Sequence, residues 1–221
     1  MTASDFDAVV LAGGRSSRLG GSPKALLQLD GATLLRHTLE AVRGARRIAV
    51  VGPDDLVEEM DAFRRSVAPG PPRLLLTRED PPFSGPAAGI AAGMTALAAH
   101  DDGAASGSAP ITMLFACDMP LLAGLPELLL ESAARAPEAQ LWIPVDADGR
   151  RQQLACCAGS AALAAAVQQS GGAAGLAGQP VRKLLAALPA VELRLERTGS
   201  HTSDVDTWQD AGRFGIARPA P

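Results

Sequence analysis

A glycine-rich segment with two cations is the part of this sequence best suited to chemistry. It reads L-A-G-G-R-S-S-R-L-G-G-S-P-K from residue 11 to residue 24 and follows a short apolar run. Gly13 and Gly14 allow backbone N–H groups to approach phosphate oxygens closely, and Arg18 and Lys24 add positive charge. These residue types predict a loop that binds phosphates; the alternative is a glycine-rich connector with solvated cations.

The spacing within this segment excludes the two common glycine-rich nucleotide motifs. A Walker A loop ends in G-K-[ST], which does not occur, and Lys24 lies too far downstream to replace its lysine. The G-x-G-x-x-G dinucleotide fingerprint does not fit either, because Gly13-Gly14 is an adjacent pair. Gly20-Gly21 and Pro23 would also break a helix that started directly after that pair.

A single aspartate after an apolar run is the second feature suited to chemistry. Asp118 follows the run at 111–116, which predicts a buried strand. A carboxylate at such a strand end is poorly suited to packing, whereas Mg²⁺ binds through one or two carboxylates plus substrate phosphates. Asp118 is therefore the main candidate for a metal ligand, with helix capping as the alternative. Cys117 beside it is interpreted as a small buried residue.

The elements predicted around these residues alternate between strands and helices. Apolar runs predict strands at 8–11, 48–51, 73–77, 111–116, 141–145, 152–158 and 191–195. Helical spacing predicts helices at 34–42, 56–63, 85–99, 125–134, 161–169, 181–187 and 207–214, with a glycine-rich separator at 171–178. This order predicts an α/β, three-layer Rossmann-like fold with a mostly parallel sheet and helices on both faces. Ligands of such sheets bind beyond the carboxyl ends of strands, where the glycine-rich segment and Asp118 both lie.

Composition and charge exclude several classes of protein. The chain has 221 residues, a net charge of −4 and a pI of about 5.4, so it lacks the basic character of a nucleic-acid-binding protein. Three cysteines, two of them adjacent, form no disulfide framework and no zinc motif. With no basic leader at 1–7 and no apolar run of about 20 residues, we expect a cytoplasmic protein that contacts no membrane.

The motifs together resemble a known family. Residues 11–27 are similar to the loop L-A-G-G-x-x-x-R-x-G-x-x-x-K-x-L-L of nucleotidyltransferases that resemble the molybdenum cofactor guanylyltransferases. G-P-A-A-G-I at 85–90 resembles the family's G-P-L-A-G-I segment, and F-A-C-D-M-P at 115–120 resembles its metal-binding strand end. D-V-D-T at 204–207 resembles its late N-V-N-T-P-E segment, so the resemblance extends from about residue 7 to residue 214.

The resemblance implies a reaction and a set of site residues. An acceptor phosphate would attack the α-phosphorus of an Mg²⁺-bound NTP, and pyrophosphate would leave. The implied catalytic residues are Arg18, Lys24 and Asp118, and the implied metal ligands are Asp118, Asp204 and Asp206. The implied nucleotide-binding residues are Leu11, Ala12, Gly13, Gly14, Arg15, Lys24, Gly52, Asp80, Gly89 and Asp118. A solvated loop acid is the alternative for Asp80, as a helix cap is for Asp204 and Asp206.

The resemblance also implies substrates. GTP and molybdopterin are the first candidates, and a single domain over residues 1–221 would bind nucleotide in about 1–120 and acceptor in about 121–221. Gly13-Gly14 favours the guanylyl branch, whereas Asp204 and Asp206 favour CTP as donor. Phospholactate or a sugar phosphate as acceptor, and a non-catalytic nucleotide-binding protein, are further alternatives. We expect a monomer or a weak homo-oligomer.

Overall fold

The computed structural model describes residues 6–14, 19, 23–100, 109–195, 205 and 207–216. The strands are β1 (Phe6–Leu11), β2 (Gln28–Leu29), β3 (Ala32–Thr33), β4 (Arg47–Val51), β5 (Arg73–Thr77), β6 (Ile111–Ala116), β7 (Leu141–Val145), β8 (Ala155–Gly159) and β9 (Ala190–Arg194). The helices are α1 (Leu34–Ala41), α2 (Val57–Ser66), α3 (Pro86–Ala99), α4 (Leu125–Arg135), α5 (Ser160–Gln169), α6 (Gly172–Leu176), α7 (Val181–Leu185) and α8 (Trp208–Arg213). Two 3₁₀ turns, Lys24–Leu26 and Asp54–Leu56, complete the described elements.

Seven of the strands form one sheet in the order β5-β4-β1-β6-β8-β7-β9. Only β8 in this sheet runs antiparallel to its neighbours, so the predicted mostly parallel sheet is confirmed. The chain passes from β1 outward to β4 and β5, then returns to place β6 on the other side of β1. This reversal makes the carboxyl ends of β1 and β6 a topological switch point, where α/β proteins bind ligands.

Helices cover both faces of the sheet, as predicted. The central strands β1, β4 and β6 are buried on both sides, which explains why their sequences are continuous apolar runs rather than alternating ones. One face packs against Leu39 of α1, Phe63 of α2 and Leu129 of α4. The other packs against α3, α5 and α7, with Ile90 and Leu163 in its core. The sheet therefore forms the middle of three layers.

Helix α3 approaches the sheet unusually closely because of its glycines. A Cβ added at Gly93 would lie 2.5 Å from Cγ1 of Val9, and one at Gly89 would lie 3.1 Å from Cδ2 of Leu11. The helix is apolar on nearly all sides, as expected for one packed between a sheet and other helices. Pro86 occupies its first turn, where the missing N–H costs no helical hydrogen bond.

Three local features differ from the sequence expectations. The strand expected from residue 152 begins at Ala155, and the glycine-rich separator at 171–178 contains the short helix α6. A hairpin of β2 and β3 precedes α1, whose N-cap Thr33 accepts a hydrogen bond from the N–H of Arg36 at 3.0 Å. None of the helices in the described ranges combines the length and apolar character of a membrane span.

A small third core joins the end of the chain to the start. Leu19, Leu27 and Leu34 pack with Val205 and Ala211. Helix α8 is fixed by a capping box, in which the side chain of Thr207 accepts from the N–H of Asp210 while Thr207 donates its own N–H to the Asp210 carboxylate. Through this core, Val205, which precedes α8, is held against Leu19, Leu27 and Leu34.

Candidate active site

The glycine-rich segment and Asp118 meet at the carboxyl ends of β1 and β6. Leu11 lies opposite Ala116 in the sheet register, and the N–H of Cys117 donates to the carbonyl of Leu11 at 3.0 Å. Gly13 and Asp118, each two residues beyond the end of its strand, therefore emerge at the same edge. The order of the elements in the sequence predicts this convergence.

Lys24 returns to this edge after the glycine-rich segment. Its Nζ donates to Oδ2 of Asp118 at 2.9 Å, and both side chains are 20% exposed. The 3₁₀ turn Lys24–Leu26 fixes the backbone of Lys24, whose carbonyl accepts from the N–H of Leu27 at 3.0 Å. A cation and a carboxylate thus meet at the point where the sequence predicts phosphate and metal chemistry.

Two adjoining cavities open at this edge. The first has a volume of about 280 Å³ and contains the Lys24–Asp118 pair. Its lining consists of Ala12, Gly13, Gly14, Pro23, Lys24, Gly52, Pro53, Arg78, Glu79, Phe83, Cys117 and Asp118. The second, of about 250 Å³, is lined by Leu11, Gly13, Gly14, Val51, Glu79, Phe83, Gly85, Pro86 and Gly89. One cavity therefore carries the charges, and the other is mostly apolar with one carboxylate.

Exposed glycine backbone lines both cavities. Gly13 and Gly14 are exposed and, within the part of the chain that the structure describes, their N–H groups donate to no protein acceptor. Helix α3 begins at the second cavity, and its N-cap Gly85, at φ 95°, makes no side-chain cap. Exposed N–H groups and the positive end of a helix dipole both favour an anionic ligand.

Most of the predicted nucleotide-binding residues lie on these walls. Leu11 and Gly89 line the second cavity, Ala12 and Gly52 the first. Gly52 is a position where the chain must stay small, because an added Cβ would lie 2.6 Å from Cδ1 of Leu56 and 3.2 Å from the carbonyl carbon of Ala12. The backbone that follows β4 can therefore pass directly beside the glycine-rich loop.

The structure does not bring Asp80 to either cavity. Asp80 is exposed, whereas the preceding residue, Glu79, lines both. Sequence reasoning missed Glu79, Arg78 and Phe83, which line the first cavity. Their only signal was their position between β5 and the G-P-A-A-G-I segment, since adjacent acids in a loop look equivalent in sequence.

Asp118 fits a divalent cation by its chemistry. It presents a partly exposed carboxylate beside a cavity, and Mg²⁺ needs only one or two protein carboxylates when phosphate oxygens complete its shell. Within the described ranges, no group of three or more His, Cys, Asp or Glu side chains could hold a metal ion by itself. Asp118 would therefore share the ion with a bound substrate.

Four of the predicted site residues, Arg15, Arg18, Asp204 and Asp206, lie outside the described residues. Val205, between the two late aspartates, is described. Its N–H donates to the backbone carbonyl of Asp118 at 2.9 Å. The chain therefore passes directly beside Asp118 at this point.

Cys117 lines the first cavity but lacks the properties of a nucleophile. Burial raises the pKa of its thiol far above the ordinary value, and the negative charge of Asp118 raises it further. The thiolate is the reactive form of cysteine. Cys117 thus remains a neutral, buried side chain, as its sequence context indicated.

A family model and curated relatives match most of this chain. A family model described as MobA-like NTP transferase domain matches residues 8–192. A molybdenum cofactor guanylyltransferase from Cupriavidus metallidurans is 33% identical over 153 residues, which is 67% of this chain and 65% of that protein. The match thus spans slightly less than two thirds of the relative's own length.

Solved structures show the same fold over nearly the whole chain. Molybdopterin-guanine dinucleotide biosynthesis protein A from Archaeoglobus fulgidus superposes with a TM-score of 0.64 at 20% identity, covering 94% of this chain and 96% of that one. A 2-C-methyl-D-erythritol 4-phosphate cytidylyltransferase from Thermus thermophilus gives a TM-score of 0.58 at 20% identity, covering 95% and 98%. The fold is therefore shared by a molybdopterin-guanine dinucleotide biosynthesis protein and by a cytidylyltransferase.

Proposed function

The chain belongs to the family of MobA-like NTP transferase domains, and from this membership we propose that it transfers a nucleoside monophosphate from an NTP to a phosphate-bearing acceptor. The observation that carries the proposal is the meeting of Lys24 and Asp118, 2.9 Å apart, in the wall of a cavity bounded by Gly13 and Gly14. Ammonium, carboxylate and exposed backbone N–H groups are the set that a triphosphate and its cation require.

The residues of the first cavity would act by positioning and by charge. The N–H groups of Gly13 and Gly14, together with Lys24 and Arg18, would bind the triphosphate. The acceptor phosphate forms a new bond to the α-phosphorus, the bond to the β-phosphate bridging oxygen breaks, and pyrophosphate leaves with that electron pair. A phosphomonoester has a second pKa of about 6 and is mostly a dianion at neutral pH, so this step needs no general base. The protonated, buried Cys117 agrees with such a mechanism.

We propose that Asp118, with Asp204 and Asp206, holds the catalytic cation, Mg²⁺. When bound beside Asp118, such an ion would supply positive charge that offsets the charge of the phosphates. Asp118, the member of this set within the described residues, lines the cavity, and the hydrogen bond from the N–H of Val205 to its carbonyl supports the inclusion of the two late aspartates. A nearby ammonium, that of Lys24, would help to balance the charge of the leaving pyrophosphate.

We propose GTP as donor and molybdopterin as acceptor. The relatives named molybdenum cofactor guanylyltransferase support both choices. CTP is the second candidate, because cytidylyltransferases share the fold and Asp204 and Asp206 replace the family's usual Asn. The nucleotide would occupy the half of the chain before about residue 120, which supplies both cavities, and the acceptor would bind from the half that follows.

The test is pyrophosphate release with an NTP panel, Mg²⁺ and purified molybdopterin. We expect release with GTP, dependence on both acceptor and metal, and loss of Mg²⁺-dependent turnover in Asp118→Asn. Release with CTP alone would replace the donor and keep the reaction class. Nucleotide binding without release for every acceptor, including phospholactate and sugar phosphates, would favour a non-catalytic nucleotide-binding protein.

A further inference from the structure

Phe83 has an unusual backbone conformation for a bulky residue. Its φ is 64°, in the left-handed region that glycine and asparagine enter far more readily than phenylalanine. It is also 48% exposed, which places an aromatic side chain largely in contact with solvent. Such outliers cluster at binding sites, so a positive φ at a half-exposed aromatic residue points to a role in binding.

Neighbouring groups hold Phe83 in this conformation. Its N–H donates to Oε1 of Glu79 at 3.0 Å, and the guanidinium carbon of Arg78 lies 5.3 Å from the centroid of its ring. The backbone carbonyl of the next residue, Ser84, accepts a hydrogen bond from the N–H of Gly178 at 2.7 Å. The backbone of the loop is therefore anchored both to Glu79 and to the second half of the chain.

Phe83 lies where the two cavities adjoin. Four residues line both of them, namely Gly13, Gly14, Glu79 and Phe83. A nucleotide with its phosphates beside Lys24 in the first cavity would have to cross this boundary to place its base in the second, more apolar cavity. Of the four shared residues, only Phe83 offers an apolar planar surface for a base.

We propose that Phe83 is a nucleotide-binding residue whose ring contacts the nucleobase, and that Glu79 positions it by holding its backbone N–H. The inference rests on the function proposed above and adds the residue that supports the base. Aromatic contact with a base is strong and tolerant of base identity, because every base has a π face. Phe83 thus contributes affinity for the nucleoside, whereas the triphosphate is bound by other groups.

The experiment compares the binding of GTP and of inorganic tripolyphosphate by calorimetry, without acceptor. Phe83→Gly removes the ring and suits the left-handed backbone, so we expect the variant to fold, and its urea unfolding midpoint checks this. We expect its GTP affinity to fall by about 5- to 150-fold, the range that loss of one base–aromatic contact gives. Its affinity for tripolyphosphate, which has no base, stays unchanged. Val57→Ala is the matched control. Val57 is also an exposed apolar residue but lies on α2, and its substitution leaves both affinities unchanged.

Glu79 is tested by a pair of substitutions. Glu79→Gln keeps an oxygen that accepts from the N–H of Phe83, so its GTP affinity remains near the wild-type value. Glu79→Ala removes the acceptor and lowers GTP affinity, and combining it with Phe83→Gly adds little further loss, because both changes disable the same contact.

The results separate this inference from the proposed function. A wild-type protein that binds neither GTP nor CTP overturns both. GTP binding that is unaltered in Phe83→Gly, or lowered equally for tripolyphosphate, overturns the role of Phe83 alone. Equal losses in Glu79→Gln and Glu79→Ala overturn the positioning role of Glu79.

Discussion

Lys24 and Asp118 are 94 positions apart in sequence and 2.9 Å apart in space. We expect Lys24→Ala to lower turnover by about 10²- to 10³-fold, the usual loss when one preorganised charge-stabilising donor is removed. Folding should survive, because an ion pair with both partners partly exposed adds little stability. Pyrophosphate release and the urea unfolding midpoint, measured on the same samples, check the two statements.

Arg135→Ala is the matched control for this change. Arg135 lies at the end of α4 away from the cavities, and its side chain is 77% exposed in a pair with Glu131. It loses a cation without altering the site, so its turnover should equal that of the wild type. Wild-type turnover in Lys24→Ala would remove Lys24 from the mechanism.

The three buried thiols make stability depend on alkaline pH. Burial raises the pKa of Cys156 from 9.0 to about 12, and it also raises the pKa values of Cys117 and Cys157. The folded state therefore retains protons that the unfolded state releases above about pH 9. The contribution is complete below the unfolded pKa and is lost as pH rises toward the folded one, by up to about 1.4 kcal/mol per pH unit for each thiol.

Urea unfolding between about pH 8 and pH 11, the range in which unfolded thiols lose their protons, measures this slope. The chain contains no Tyr, which removes one other group that titrates in this range. Cys156→Ala should flatten the decline, since one of the three protons is no longer released on unfolding. An identical slope in wild type and variant would show that the alkaline loss of stability has another source.

At the same scale, the sequence predicted some of the residues that line the two cavities and missed others for a physical reason. The positions of Gly13 and Asp118 were predictable because strand ends of a parallel sheet meet at one edge. Glu79 and Asp80 were not distinguishable, because which of two adjacent loop acids faces a cavity depends on the turn around them. That turn includes the positive φ of Phe83, which its sequence does not signal.

At the scale of elements, the packing of α3 on the sheet depends on Gly93. We expect Gly93→Ala to destabilise the protein by about 1–3 kcal/mol, because the added methyl overpacks a rigid contact with the branched side chain of Val9. Helix propensity alone would give the opposite sign. Urea unfolding measures the change in the free energy of unfolding.

Gly212→Ala in α8 provides the comparison. An added Cβ at Gly212 meets nothing within 4 Å, so the substitution should stabilise by up to about 1 kcal/mol through helix propensity. If both alanine variants shift stability in the same direction, the close approach of α3 to the sheet does not control it.

The direction of β8 shows where sequence reasoning about elements ends. Its residues A-C-C-A-G form a buried run like those of the parallel strands, and a buried run carries no mark of direction. The direction is seen in the sheet, where β8 lies between β6 and β7 and pairs antiparallel with both. Likewise α6 arises in a glycine-rich stretch because Leu176 is buried in the core there, against local propensity.

At the scale of the whole molecule, stability and chemistry lie at opposite edges of the sheet. Arg47 and Asp7, near the amino ends of β4 and β1, form an ion pair of 2.6 Å with side chains only 7% and 3% exposed. Arg47 also donates to the carbonyl of Leu97 at 3.0 Å, so its guanidinium is fixed from two sides. The pair fixes α3 to the sheet at the end remote from Lys24 and Asp118.

Arg47→Met should therefore cost about 3–5 kcal/mol of stability, because it leaves the charge of Asp7 buried without its partner. The folded fraction of this variant should bind GTP as the wild type does. Adding Asp7→Leu removes the orphaned charge and should restore most of the stability. Unfolding curves and nucleotide affinities of the single and double variants test this; a double variant as unstable as the single one would contradict it.

The antiparallel insertion of β8 also bears on how the chain leaves the ribosome. Strand β6 ends at Ala116, but the neighbour that covers its free edge begins about 40 residues later, after β7 has already been made. At about 5–20 residues per second, this edge of β6, with its unpaired backbone N–H and C=O groups, stays uncovered for about 2–8 s of synthesis. Strand β7 cannot shield it, because β7 reaches the sheet through β8 and β9. A nascent chain of this protein therefore exposes a surface that ribosome-associated chaperones can bind during that interval.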